Sequence, residues 1–353
     1  VTTAAGESRG TGIELDVGRL ESYLRGRIDG LTGPLHLERL PGGQSNPTFK
    51  LTTPGRCYAM RCKPAPAARL LPSAHAIERE YRVQAALAGT EVPVPRMFCL
   101  CVDESVIGRA FYIMELVAGR IFWDPRLPGA TRQERAAIYD EMNRVIAALH
   151  RVDYVALGLT DFGKPGNYFA RQIDRWTRQY RASETERIEA MEHLIRWLPP
   201  HVPEESEPPT RIVHGDFCLD NLIFHPTEPR ILAVIDWELA TLGHPLADFA
   251  YHAMSWYIPP EHNRGMAGSD LEALGIPDAE EYWARYLQRT GLVVAADRRF
   301  YLVYNLFRSA GILQGIAKRV QEGTAASARA AEVARSTRPF AELAWALAQE
   351  MEA

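Results

Sequence analysis

The stretch that decides the reading is Arg211-Ile212-Val213-His214-Gly215-Asp216-Phe217-Cys218-Leu219-Asp220-Asn221-Leu222-Ile223-Phe224. After a short turn over residues 225–229 it continues into Ile231-Leu232-Ala233-Val234-Ile235-Asp236-Trp237. Ile212 and Val213 bring an apolar strand to a turn at Gly215, which leaves Asp216 on a loop. Asn221 closes that loop before a second apolar run, and Asp236 ends a third. Asp and Asn are common at turns for their own backbone hydrogen bonds, so each residue alone reads as a turn or cap. Together, between apolar strands, they suit phosphoryl transfer. Asp216 can orient an attacking hydroxyl and accept its proton, while Asn221 and Asp236 share a magnesium ion that bridges phosphate oxygens.

The words HGDFCLDNLIF (214–224) and VIDWELATLGHPLADFAY (234–251) resemble the aminoglycoside phosphotransferase family, a branch of the protein-kinase-like fold. The Asp-to-Asn connection is shorter than in protein kinases, and Gly215 stands where they carry Arg. The resemblance implies Asp216 as catalytic base, Asn221 and Asp236 as metal ligands, Asp248 as a carboxylate bracing the loop, and ATP with Mg2+ as cofactors. It leaves His214 a structural part, its imidazole tying the loop to neighbouring backbone.

A kinase needs a nucleotide-binding lobe upstream. Residues 40–49 are turn-rich between apolar stretches and suit a hairpin over phosphates, with Gly43 permitting close backbone approach and Ser45 and Asn46 at the tip. The segment departs from the Gly-x-Gly-x-x-Gly pattern of protein kinases. In the strand at 57–63, Ala59, Arg61 and Lys63 share a face. Arg61 best fits the family's strand pattern, where Lys is usual, and Lys63 is the other candidate for the phosphates. Glu80, on the helix AIEREYRVQAALAG (76–89), stands where the family carries the partner carboxylate; Glu78 points to another face. The run 111–119 resembles the interlobe linker, with Met114 at the back of an adenine pocket, the Glu115 carbonyl and the Val117 N–H.

With 353 residues, 46% hydrophobic and 24% charged, the chain is long enough for two lobes, each with its own core. A net charge of -4 argues against a nucleic-acid surface. Neither an apolar run of membrane-spanning length nor a secretory signal is visible, so a cytoplasmic protein without a membrane partner is expected. Five cysteines, an odd number, disfavour a disulfide framework, and Cys218 reads as a packed residue. The expected class is α+β and bilobal. Residues 1–12 form a mobile N-terminus. Residues 13–117 form a small antiparallel β-rich lobe with one long helix, and residues 118–353 a larger, mainly helical lobe. Helical pattern recurs at 131–151, 168–197, 278–290, 298–321 and 324–351.

The acceptor is the least legible part. The glutamates from Glu184 to Glu207 are interleaved with arginines and read as a solvated face. Arg308 shares a helical face with Gly311 and Gly315 and either meets an anion or pairs with a buried carboxylate such as Asp248. Trp123, Trp256 and Tyr257 are candidates to line an acceptor pocket. The words LLPSAHAIEREYRV, GRIFWDP and LFRSAGILQGIAKR resemble the subgroup related to the kinase-like domain associated with acyl-CoA dehydrogenases. That implies ATP- and magnesium-dependent phosphorylation of a small-molecule hydroxyl, such as a hydroxyacyl metabolite. An aminoglycoside kinase is the nearest alternative. A nucleotide-binding pseudokinase or interaction module, favoured only by Arg61 in place of Lys, is the alternative of another class.

Overall fold

The computed structural model describes residues 15–40, 46–64, 77–204, 209–262, 264–294, 297–325 and 329–352. The chain divides into two units. One takes the residues up to Tyr81 and Met97–Leu116; the other takes Arg82–Arg96 and the chain from Val117 onward.

The first unit is built on an antiparallel sheet. Helix α1 (Val17–Arg25) opens at Asp16, whose side chain accepts the Arg19 N–H at 2.9 Å. Strands β1 (His36–Arg39), β2 (Thr48–Thr52) and β3 (Cys57–Cys62) follow, then helix α2 (Ile77–Leu87), β4 (Met97–Cys101) and β5 (Phe111–Glu115). The strand order is β1-β2-β3-β5-β4, antiparallel throughout. Tyr58 to Cys62 are all buried, so β3 is covered on both faces and Arg61 lies in the interior. Leu20 and Leu24 of α1 share a core with Leu51, Met60, Phe111 and Ile113. The unit therefore has a second helix that the sequence reading did not separate, because nine residues hold too few turns for a clear period.

The second unit takes α2 from Arg82 onward, and then α3 (Arg132–Arg151), α4 (Tyr168–Ala182) and α5 (Glu189–Trp197). Four short strands follow: β6 (Arg211–Val213), β7 (Leu222–Phe224), β8 (Ile231–Val234) and β9 (Thr241–Gly243). They form two ladders, β6 with β9 and β7 with β8. The remaining helices are α6 (Pro245–Ala253), α7 (Leu271–Leu274), α8 (Ala279–Thr290), α9 (Arg299–Gln321), α10 (Ala330–Ala334) and α11 (Thr337–Glu350). Caps set several boundaries: Thr131 accepts the Glu134 N–H at 3.1 Å, Asp278 accepts that of Glu281 at 2.8 Å, and α8 stops at Gly291 with φ +68°.

Helix α9 is buried without a break from Phe300 to Gly311, and α4, α6, α10 and α11 pack on it. Such a helix has no solvent face and serves as the axis of its core. A Cβ on Gly311 would meet the Trp176 carbonyl of α4 at 3.6 Å, ordinary van der Waals contact, so the packing of α4 on α9 does not require glycine there. Two helical expectations are corrected. Residues 168–197 form two helices: α4 ends at Ala182, where the Ser183 N–H and hydroxyl both turn to the Gln179 and Tyr180 carbonyls of its last turn. Residues 324–351 likewise divide into α10 and α11. Helix α6 was not read from the sequence; all nine of its residues are buried, so it shows no polar face. No described helix is long and apolar enough to cross a membrane, and all five cysteines are free thiols.

Candidate active site

Strand β6 delivers the chain to a loop at 214–221, and Gly215 makes the turn with φ +82°. A Cβ there would lie 2.8 Å from the Leu239 carbonyl oxygen, so both backbone conformation and space require glycine. Asp248, in the first turn of α6 and buried, braces this turn. Its Oδ2 accepts the His214 N–H at 2.7 Å and its Oδ1 the Gly215 N–H at 2.8 Å. His150 Nε2 lies 3.2 Å from Oδ2, and His150 Nδ1 lies 2.6 Å from the Tyr286 hydroxyl. Burial pushes the Asp248 carboxyl up, but the hydrogen bond and charge of His150, with those of His214, outweigh it and hold the pKa below the ordinary value.

His214 is engaged at both ring nitrogens. Nδ1 accepts the Asp216 N–H at 3.2 Å, which places the proton on Nε2, and Nε2 donates to the Ile235 carbonyl at 3.0 Å. The ring thus ties the loop to the residue preceding Asp236.

The Asp216 carboxylate is held at both oxygens. Asn221 Nδ2 donates to Oδ2 at 3.0 Å and to the Asp216 carbonyl at 2.9 Å, and the Tyr251 hydroxyl donates to Oδ1. The hairpin register brings Asn221 and Asp236 to one end: Leu222 pairs with Val234, and the Ile235 N–H continues the ladder to the Asn221 carbonyl at 3.0 Å. Asp236 adopts a left-handed conformation, φ +66° and ψ +61°, uncommon for a non-glycine residue and typical of functional turns.

Among the described residues, no group of three or more His, Cys, Asp or Glu gathers to hold a metal. Magnesium does not need one, because it binds through one or two protein groups and completes its shell with water and phosphate oxygens. With Nδ2 of Asn221 given to Asp216, the amide oxygen is the end left to act as a ligand. One amide oxygen and the Asp236 carboxylate make a donor set that fits this cation.

In the first unit, Arg61 Nε lies 2.8 Å from Glu80 Oε2, both side chains being almost fully buried. Glu80 also accepts from Asn46 Nδ2 at 2.7 Å and from the Tyr112 hydroxyl at 3.0 Å. Asn46 is therefore not at an exposed tip, as expected, but buried beside Glu80, whose charge makes use of its amide. Gly43 and Ser45 lie outside the described residues. Lys63 takes Glu78 instead, at 2.6 Å and partly exposed. In β5, Met114 is half-buried and Glu115 exposed at the strand end; Val117 is half-buried in the second unit.

The acceptor candidates separate. Trp123, 66% exposed, and Trp256, buried with its Nε1 on the Pro277 carbonyl at 2.9 Å, both line a shallow, open recess that also reaches Cys218, Leu219 and Arg264. Tyr257 is not among the recess lining; it packs against the core, and burial raises its pKa. Arg308 does not pair with Asp248. It is buried, donates to the Gly215 carbonyl, and lies 5.0 Å and 5.5 Å from the ring centres of Tyr251 and Trp176. Asp248 already accepts from His214, Gly215 and His150, so the guanidinium clamps the carbonyl side of the same turn. Cys218 is buried with Sγ 3.3 Å from the Asp216 carbonyl oxygen, and burial lifts its thiol well above its ordinary pKa.

Two residues beside Asp216 escaped the sequence reading. Tyr251 lies three positions after Asp248 on α6, a spacing that puts both on one face, so a signal was there. Arg264 Nη2 lies 2.6 Å from Asp220 Oδ2, and its Nη1 is 3.4 Å from the Tyr251 hydroxyl and 3.7 Å from Asp216 Oδ1. It follows no periodic element, so nothing local marks it.

Residues 36–295 match the phosphotransferase enzyme family APH. Acyl-CoA dehydrogenase family member 10 of Mus musculus is 48% identical over 329 residues; the match covers 92% of this chain but 30% of the mouse protein, so the chain spans well under half of that relative. A crystal structure from Ralstonia eutropha, provisionally described as an aminoglycoside phosphotransferase, is 59% identical, covers 96% of this chain and 99% of its own, and superposes with a TM-score of 0.87. A thermostable mutant of aminoglycoside phosphotransferase APH(4)-Ia in complex with ADP and hygromycin B is 15% identical. It covers 93% of this chain and 98% of its own with a TM-score of 0.59, a likeness of fold. The antiparallel N-terminal sheet and helical C-terminal region are those of a kinase-like fold.

Proposed function

The chain belongs to the phosphotransferase enzyme family, and on that premise we propose that it is an ATP- and magnesium-dependent kinase of a small-molecule hydroxyl, with a hydroxyacyl metabolite as the favoured acceptor. The observation that carries this reading is the joint arrangement of three groups. Asp216 stands on a turn braced by Asp248, while Asn221 and Asp236 share one hairpin end.

Asn221 and Asp236 would hold magnesium, which would supply charge stabilisation for the transferring phosphoryl group. Asp216 orients the acceptor hydroxyl and takes its proton. Arg61, held by Glu80, serves the nucleotide phosphates with a charge it never loses. Met114, Glu115 and Val117 are the adenine-side residues of this reading.

Among the described residues, no carboxylate lines the recess, and two tryptophans do. That lining supports an acceptor with an apolar body over the polycation an aminoglycoside presents, since a polycation calls for acidic walls. The ion pair that Arg61 keeps with Glu80 supports turnover over a pseudokinase.

The test is magnesium-dependent ATP consumption against hydroxyacyl-CoAs, aminoglycosides, amino alcohols and sugars, with Asp216→Asn as blank. Loss of the catalytic base should lower kcat by about 10^2- to 10^4-fold while nucleotide affinity holds. Equal turnover in the two proteins removes Asp216 from its role.

A further inference from the structure

Asp216 ends a hydrogen-bond chain that phosphoryl transfer as described above does not use. Tyr251 is 8% exposed, and its hydroxyl donates to Asp216 Oδ1. An ionised carboxylate can only accept, so the phenolic proton points at Asp216 and the phenolic oxygen is left to accept in turn. Arg264 Nη1 lies 3.4 Å from that oxygen. Arg264 is anchored at its other end by Asp220 Oδ2 at 2.6 Å. On the opposite side of the carboxylate, Asn221 Nδ2 holds Oδ2 at 3.0 Å.

We propose that Tyr251, polarised by Arg264, is a positioning residue for Asp216: it sets the rotation of the carboxylate so that the remaining lone pairs meet the acceptor hydroxyl. The inference rests on Asp216 being the base.

Three physical arguments carry it. The terminal torsion of an aspartate is broad, so a carboxylate with one donor has a range of orientations, whereas donors on both oxygens leave one. Hydrogen bonds to an ionised group are the strong ones, and a phenol whose oxygen accepts from a guanidinium is a better donor than a phenol alone. A loose phosphoryl-transfer transition state asks little of the base as a proton acceptor and much of it as a guide, so orientation is what the donors supply.

The placement is consistent with this role. Helix α6 acts on the loop twice, through Asp248 on the backbone of His214 and Gly215 and through Tyr251 on the side chain of Asp216. Arg308 lies over the Tyr251 ring, 5.0 Å from its centre, and fixes the ring's plane from the α9 side.

The probe is magnesium-ATP with water as acceptor, which needs no knowledge of the natural alcohol. The water oxygen attacks the γ-phosphorus, the bond to the β-γ bridging oxygen breaks, ADP leaves with that electron pair, and the water's proton passes to Asp216. Tyr251→Phe should lower kcat by about 10- to 100-fold, with the KM for ATP and the ADP affinity within twofold of wild type. Arg264→Met should give a smaller loss, and Arg264→Lys, which keeps a cation beside the phenol, should recover most of it. In the Tyr251→Phe background, Arg264→Met should cost less than it does alone, because only its 3.7 Å charge contact with Asp216 then remains to be lost.

Melting curves separate poor folding from misalignment, and the conservative Arg264→Lys variant remains informative if Tyr251→Phe is unstable. Asp216-dependent turnover left intact by Tyr251→Phe overturns this inference alone, as do fully additive losses. Turnover that is the same in wild type and Asp216→Asn overturns the parent reading and this one with it.

Discussion

Glu80 in the first unit and Asp248 in the second are both carboxylates almost fully removed from water, and they are satisfied in different ways. Glu80 is met by side chains: Arg61, the Asn46 amide and the Tyr112 hydroxyl. Asp248 is met chiefly by backbone, the N–H groups of His214 and Gly215, with His150 behind it. The first arrangement fixes where one long cationic side chain ends. The second fixes the path of a loop, and with it every residue the loop carries. A carboxylate that holds backbone is the harder one to lose, because its removal strands donors that cannot swing away to water.

That contrast can be broken at four points. Asp248→Ala leaves two buried N–H groups unpaired and should cost about 5 kcal/mol of stability along with all turnover. Chemical denaturation measures it, and a loss no larger than that of Glu80→Ala would erase the distinction. Glu80→Ala leaves Arg61 buried without its partner and should cost about 4 kcal/mol. Nucleotide affinity should fall with it, which calorimetry reports.

The third point is a matter of pH. His252, on the same helix as Asp248, is buried and pushed down from 6.5 to about 4, with Nε2 2.7 Å from the Tyr282 hydroxyl. A depressed histidine means that the unfolded chain takes up the proton first. Its stabilising contribution is therefore full above pH 6.5 and is lost as pH falls toward 4, by about 3 kcal/mol in all. Stability against pH should slope upward over that window and flatten in His252→Gln. The loss from Asp248 begins as pH falls through the ordinary carboxylate range, where the unfolded chain takes up its proton, and is complete only below the depressed folded value.

The smallest effect belongs to Lys63→Ala. Its pair with Glu78 is partly exposed and screened, so stability should change by less than about 1 kcal/mol. Nucleotide affinity should fall less than in Arg61→Met; the reverse ranking would hand the phosphate role to Lys63.

Much of the site was legible because its parts are close in sequence. Gly215, Asp216 and Asn221 lie within seven residues, bracketed by apolar runs short enough to be strands and nothing else. The Arg61–Glu80 pairing was legible through the family resemblance, since strand alternation put Arg61 and Lys63 on one face alike and only the family's strand pattern favoured Arg61. Asn46 was misplaced because a turn-rich word does not say which of its residues folds inward. Residues 168–197 looked continuous because the periodic apolar pattern resumes in α5 on the far side of the break after Ala182.

The sequence by itself determined the strand–loop–strand core of the site, its two carboxylates and its amide, because backbone turns and alternation act over a few residues. Tertiary structure alone decided what surrounds them. Arg308 reaches the Gly215 carbonyl across 93 positions of chain, and Arg264 reaches Asp220 across 44. Contacts at such separations follow from how α6 and α9 pack and from which buried donors and acceptors remain to be matched, and no local pattern records that.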